Sequence, residues 1–246
     1  MDIPKKTAER ALWALTESAK EIVEANPLKF MKPVLSHYNA LKRIRDRGVD
    51  VKTVIDLGAA RGSWSKMAHV VWPKSHCHMI EANHSWEREL HELAADPAYS
   101  YVIAAAGPKK GDGHFKFSED PYGGVARTEE GEGTGRVPMI TVDSECAERG
   151  FDAPILLKFD THGFEREILA GAGETLKKTS LIVIEAYNFG MREKRFPAML
   201  DLLEDLGFRC IDIGEPLFRD YDRSFWQIDF FLVPIDRPEF QYGGYK

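Results

Sequence analysis

The chain has 246 residues, and 33 Lys and Arg against 39 Asp and Glu give a formal net charge of −6. One to two domains of ordinary size fit this length, and 43% hydrophobic with 29% charged residues describes a soluble globular chain that folds without disulfides. Cys77, Cys146 and Cys210 form no CxxC pair, which excludes a zinc ribbon or disulfide scaffold and suits a reducing cytoplasm; no apolar run of about 18 residues marks a membrane span, and the acidic balance argues against a nucleic-acid partner.

The first 25 residues alternate charged and apolar positions, unlike a secretory signal. Ala11, Leu12, Leu15, Ala19, Ile22 and Val23 recur at helical spacing over 7–24, with Thr7 placed to cap and Asn26-Pro27 to stop. A second helix is expected over about 34–46, where Lys42, Arg43, Arg45 and Arg47 read as a solvated helix end. Residues 1–50 thus read as a helical appendage, and Trp13, Trp72 and these helices leave a homo-oligomer open. From residue 51 strands alternate with helices: a strand Val51–Leu57, a helix Ser63–Val71, and a strand His78–Ile80 ending at Glu81. A helix through Trp86, Leu90, Leu93 and Ala94 and a strand Tyr101–Ala105 follow. This rhythm predicts βαβ units, a parallel sheet and helices on both faces.

Residues 107–141 break the rhythm. His114–Phe117 and Val137–Thr141 are expected to pair as an inserted hairpin. The glycine-rich stretch between them, about 119–136, is either a lid over a site or a surface excursion. Strands resume at Ile155–Phe159, ending at Asp160, and at Leu181–Ile184, ending at Glu185. A helix with Pro197 in its first turn leads to strands Phe208–Ile213 and Gln227–Val233, expected to close the sheet as an antiparallel pair.

Two stretches carry chemistry. In Val54-Ile55-Asp56-Leu57-Gly58-Ala59-Ala60-Arg61-Gly62-Ser63 a buried strand runs through a glycine turn into a helix. Gly58 and Gly62 are expected to let backbone approach a ligand, and the helix start to offer free N–H groups. The dinucleotide pattern G-x-G-x-x-G and the P-loop Gly-Lys-Ser/Thr are both absent; the D-x-G-x-x-x-G spacing is of the kind found in S-adenosylmethionine-binding folds. Glu81, ending the next strand, is positioned to accept two ribose hydroxyls, and Asn83 to cap the following helix. In the second stretch, Lys158-Phe159-Asp160-Thr161-His162-Gly163-Phe164-Glu165, Asp160 lies at a strand's carboxyl end with His162 two residues on. A carboxylate beside an imidazole suits His162 to act as a general base. His76 and His78 on one strand face read as structural.

The second stretch, continued by Ile168-Leu169-Ala170-Gly171-Ala172, resembles the signature of FkbM-type methyltransferases. The resemblance spans about 51–235 and takes in the 56–62 loop, Glu81, Ala104-Ala105-Ala106, Val142-Asp143 and Asp229-Phe230-Phe231. The chain departs from the pattern at His162, where many members carry Glu. The resemblance implies a class I Rossmann-like α/β fold over 51–240, with a mostly parallel seven-stranded sheet and an antiparallel closing strand. It further implies methyl transfer from S-adenosyl-L-methionine to a hydroxyl of a small-molecule or sugar-type acceptor. Asp56, Gly58, Ala59, Gly62, Ser63, Glu81 and Ala105 would form the cofactor site; Asp160 and His162 would face the acceptor. A divalent metal on Asp160, His162 and Glu185 is a less favoured reading. The alternatives are a cofactor-binding partner protein without catalysis and a nicotinamide-dependent oxidoreductase.

Overall fold

A computed structural model describes residues 34–245 of the chain, so the helix expected over 7–24, and with it an interface through Trp13, lies outside the described residues. Among the described residues no helix is long and apolar enough to cross a membrane. The first helix, α1 (His37–Asp46), starts at Ser36, whose side chain caps it. Its Ala40, Leu41 and Ile44 recur on one face and are fully buried in the core. Arg43 donates through Nε and Nη2 to the two carboxylate oxygens of Asp212, both at 2.8 Å, and Arg47 reaches the same carboxylate at 3.3 Å. The helix is therefore packed into the domain instead of appended to it. Two cations of the basic cluster, both still partly exposed, pair with Asp212.

The main sheet contains β1 (Thr53–Leu57), β2 (His76–Glu81), β3 (Tyr99–Ile103), β8 (Ile155–Phe159), β9 (Thr179–Tyr187), β10 (Phe208–Phe218) and β11 (Phe225–Pro234). Their spatial order is β10-β11-β9-β8-β1-β2-β3. All neighbours from β3 to β9 run parallel, and β11 is antiparallel to both β9 and β10. The expected closing pair is thus present, with the last strand inserted inside the edge. Crossovers carry α2 (Ser63–Val71), α3 (Glu87–Leu93), α5 (Glu165–Ala170), α6 (Gly173–Leu176) and α7 (Phe196–Asp205).

Strand alternation splits the core into two layers. Ile55, Leu57, Ile155, Leu157 and Phe159 face one layer; Val54 and Leu156 face the other, with α1 and α2. Both layers are covered, which is why these strands read as unbroken apolar runs. Asp56 and Lys158 interrupt those runs on the second face, opposite each other in the β1–β8 register.

The insertion is more than a hairpin. Residues β4 (Ala105–Ala106), β5 (Gly111–Lys116), β6 (Val125–Arg127) and β7 (Thr134–Ile140) form a second sheet in the order β4-β7-β5-β6. The expected pairing of His114–Phe117 with Val137–Thr141 is present as β5–β7. The strand expected over Tyr101–Ala105 divides at Ala104: β3 stays in the main sheet, and Ala105 starts the second. A run of small apolar residues carries no mark of such a switch.

The His76–His78 face is used internally. His76 Nε2 and His78 Nδ1 both contact Ser100 Oγ, at 2.7 and 2.8 Å. His78 Nε2 lies 3.1 Å from Glu145 Oε1 in α4 (Val142–Arg149), and the Arg149 guanidinium donates to the same oxygen. Burial holds the His78 ring below its ordinary pKa, favouring the neutral form. The His78 ring nitrogen 3.1 Å away, opposed by burial and helped by Arg149, holds the Glu145 carboxyl down at about 2, against 4.5 ordinarily. A depressed carboxylate stabilises the fold above its ordinary pKa and loses that contribution as pH falls through its folded value. Thermal melts from about pH 5 to pH 2 should therefore show a steeper stability loss for the wild type than for Glu145→Gln, by about 1–3 kcal/mol. Parallel pH curves would contradict this role.

Candidate active site

The carboxyl ends of β1, β2, β8 and β9 meet at one rim of the sheet, where open α/β folds bind ligands. At β1 the chain turns at Gly58, whose φ of +78° favours glycine. A Cβ there would sit 2.0 Å from the Asp160 carbonyl oxygen, so the glycine lets the β1 and β8 loops touch. Gly62, at φ +76°, serves packing: its Cβ would strike Leu93 and Met79 at 2.7 and 2.8 Å. Asp56 is fully buried; its carboxylate accepts from Ser65 Oγ, in the first turn of α2, at 2.7 Å. Its side chain thus joins β1 to the start of α2. Burial raises its pKa, opposed by Lys158 and Ser65.

At β2 the Glu81 carboxylate accepts from the Ala60 N–H and the Asn83 N–H, both at 2.7 Å. It clamps the glycine loop to the strand end. Each oxygen keeps acceptor capacity, and burial pushes the carboxyl up against these two donors. Asn83 caps the short turn His84–Trp86 through Ser85 N–H, as expected. Its Nδ2 and the Trp86 Nε1 both donate to the Pro121 carbonyl, at 3.3 and 3.2 Å, and Trp86 packs on Tyr122 with centroids 5.0 Å apart. The glycine-rich excursion is thereby fastened across the rim.

At β8 the buried Lys158 ammonium donates to Asp160 Oδ2 at 2.7 Å, lies 3.7 Å from Asp56 Oδ1, and sits over the Trp64 ring. Burial would lower its pKa, but Asp160 and Asp56 outweigh that and raise it, so it is charged. Burial likewise works to raise Asp160, and Lys158 overrides it, holding the carboxylate below its ordinary range. His162 takes a left-handed backbone, φ +54°, and its Nδ1 lies 3.2 Å from the Gly124 carbonyl. A carbonyl only accepts, so Nδ1 donates there and Nε2 is the nitrogen turned to the cleft. Nε2 faces Asp160 Oδ1 at 3.4 Å and Glu185 Oε2 at 3.8 Å. Asp160 therefore stands beside the imidazole, while the Gly124 carbonyl orients it. At β9 Glu185 accepts from Tyr187 Oη at 2.5 Å and from Gln227 Nε2. Burial, then the Asp160 charge, pushes its carboxyl well above the ordinary range.

These ends enclose a cleft of about 850 Å³, its open mouth included. Of the nine expected site residues, Gly58, Glu81, Ala105, Asp160 and His162 line it. Asp56 and Gly62 lie behind it in the roles above, Ala59 belongs to the core, and Ser63 is exposed and accepts from Arg61. Ala104–Ala106, Ile80 and Phe115 form an apolar wall; Pro121, Tyr122, Gly124 and Ala126 of the insertion close another side. No Lys or Arg lines it among the described residues, whereas Glu81, Asp160 and Glu185 do. Lys158, Trp86 and Tyr187 were missed in the sequence; a lysine inside an otherwise apolar strand was the one available signal. Asp160, His162 and Glu185 bring three possible ligand atoms within 4.8 Å of one another.

The Methyltransferase FkbM domain family matches residues 56–210. No curated protein matches the chain. Among solved structures, the FkbM methyltransferase of Methylobacillus flagellatus KT is 18% identical, with a TM-score of 0.46 over 73% of this chain. This chain spans 43% of that protein's length. The fibrillarin pre-rRNA processing protein of Methanococcus jannaschii is 16% identical, with a TM-score of 0.46 over 75% of this chain and 66% of the other. Magnesium protoporphyrin IX methyltransferase of Synechocystis PCC 6803 is 11% identical, with a TM-score of 0.42 over 80% and 79%. With the family matched over more than half its length, from Asp56 at the end of β1 to Cys210 in β10, the chain belongs to the FkbM methyltransferase family.

Proposed function

We propose that the chain transfers a methyl group from S-adenosyl-L-methionine to a hydroxyl oxygen of a small, sugar-type acceptor. One observation carries this reading: the cleft is walled by carboxylates and alanines and has no cation among its described lining residues. A phosphate-bearing nucleotide would meet Glu81 and Asp160 with no Lys or Arg among the described lining residues to neutralise it. A cationic sulfonium nucleoside meets opposite charge there. This disfavours a nicotinamide dinucleotide, whose pyrophosphate ordinarily rests on a free helix N-terminus; here the Asp56 carboxylate is buried against the first turn of α2.

The lining residues fit the cofactor. Glu81 keeps acceptor capacity for ribose hydroxyls, Ala104–Ala106 and Ile80 offer flat apolar surface for an adenine, and Asp160 stands at the opposite end. When bound, the cofactor supplies a methyl group on cationic sulfur; its C–S bond breaks as the O–C bond forms, and a neutral thioether leaves. The chain itself supplies alignment, worth about 7–11 kcal/mol in well-oriented reactions. Asp160 and His162 face the acceptor and lower the cost of losing its hydroxyl proton. The insertion, which gives Gly124 to His162 and Pro121–Tyr122 to the rim, excludes water from the reacting atoms.

Two outcomes are expected. By calorimetry, Glu81→Ala should weaken S-adenosylmethionine binding about 10–100-fold, the worth of charge-assisted hydrogen bonds. Wild-type protein with no affinity for this cofactor would end the reading. His162→Ala should cut turnover of an accepted alcohol about 10²–10⁴-fold while cofactor affinity stays within about twofold. Undiminished turnover would remove His162 from the chemistry.

A further inference from the structure

We propose that Asp160 Oδ1, His162 Nε2 and Glu185 Oε2 together hold a divalent cation, and that this cation receives the acceptor through two neighbouring oxygens. The inference deepens the methyl-transfer reading and rests on it for the acceptor only.

The geometry sets the argument. Three possible ligand atoms converge, one from each residue and all within 4.8 Å of one another, with Glu185 close enough to Asp160 to share a hydrogen bond. Nδ1 donates to the Gly124 carbonyl at 3.2 Å, so Nε2 is the nitrogen left for a cation, and it faces two carboxylates 3.4 and 3.8 Å away. Imidazole ligands in metal sites ordinarily show this arrangement, one nitrogen on the metal and the other donating to a carbonyl or carboxylate. The carboxylates are held from behind in the same manner. Lys158 occupies Asp160 Oδ2 and leaves Oδ1 forward; Gln227 takes Glu185 Oε1, and Tyr187 steadies Oε2. Cis ligands on an octahedral ion with bonds of about 2.1 Å lie about 3 Å apart, so closing onto an ion takes shifts of under about 1 Å.

Local charge agrees. Asp160, Asp56 and Asp229 share the single Lys158 ammonium, with His37 3.1 Å from Asp229, and Glu185 has no Lys or Arg partner among the described residues, which leaves room for a cation beside it. One nitrogen and two carboxylate oxygens suit Mn²⁺ or Mg²⁺ better than thiophilic metals. Three protein ligands on one side leave about three positions toward the cleft, which all three residues line. A vicinal diol or a hydroxyl beside a carbonyl fills two of them. A lone alcohol fills one and binds less well.

The test uses the full chain, dialysed against chelator and titrated with Mn²⁺, with free Mn²⁺ read by electron paramagnetic resonance. One Mn²⁺ per chain, displaced by Mg²⁺ and weakened at least tenfold in both Glu185→Gln and His162→Ala, is expected. Glu185→Gln keeps the side chain's shape, and unchanged melting curves would show that both variants fold. Absence of stoichiometric Mn²⁺ binding, or binding indifferent to both substitutions, would overturn the site. S-adenosylmethionine affinity, measured separately by calorimetry, distinguishes the failures. Cofactor binding without Mn²⁺ binding sinks the cation and spares methyl transfer. Mn²⁺ binding without cofactor binding sustains the cation site and sinks methyl transfer.

Discussion

The site depends on one buried ammonium. Lys158 stands opposite Asp56 in the register of two central strands and, two residues before the chain leaves the sheet, holds Asp160. Burying a charge costs several kcal/mol unless partners answer it. Here three do: Asp160 at 2.7 Å, Asp56 at 3.7 Å and the face of Trp64. The arrangement ties the start of α2, which Asp56 holds through the Ser65 hydroxyl, to the Asp160 side of the cleft, whose carboxylate Lys158 aims. Gly58 makes the same join in the backbone, since only a missing Cβ lets the Asp160 carbonyl come so close. The two halves of the cleft are thus fixed to each other by one ion-pair network and one steric vacancy.

The second constraint comes from the insertion. A four-stranded sheet built outside the main one returns a loop to the rim, where three contacts hold it: Pro121 to Asn83 and Trp86, Tyr122 against the Trp86 ring, and the Gly124 carbonyl to His162. Gly124 is forced by Phe115, whose ring would lie 2.0 Å from a Cβ there. Core packing inside the small sheet therefore determines the carbonyl that sets the His162 tautomer. This joins the stability of an inserted element to the protonation pattern of a side chain at the cleft.

The α/β rhythm was plain in the sequence because strands covered on both sides are apolar without interruption and end in turn residues. Strand-end acids marked the rim: Glu81, Asp160 and Glu185 stand where the alternation stopped. What failed had local causes. Asp56, Gly62 and Ser63 share one motif, yet a turn of this kind sends successive side chains to the first turn of α2, the α3 packing face and solvent. Periodicity does not distinguish those fates. Tyr187 reaches Glu185 from two residues on in the same strand, but Gln227 acts from the neighbouring antiparallel strand, and that pairing has no sequence signal. The split at Ala104 was invisible for the same reason: two adjacent strands of different sheets look like one.

The distribution of charge around the rim follows from this economy. Of the four strand-end acids, Asp56 and Asp160 share one cation, Glu81 is answered by backbone N–H groups, and Glu185 only by a phenol and an amide. Glu185 is thus the least compensated carboxyl, and its displaced pKa expresses that. Hydrophobic burial would favour removing such a group outright, since an apolar residue of like size costs nothing to desolvate. Its place beside a second carboxylate and an imidazole fits a site that receives positive charge with a ligand, as a sulfonium or a coordinated cation would supply.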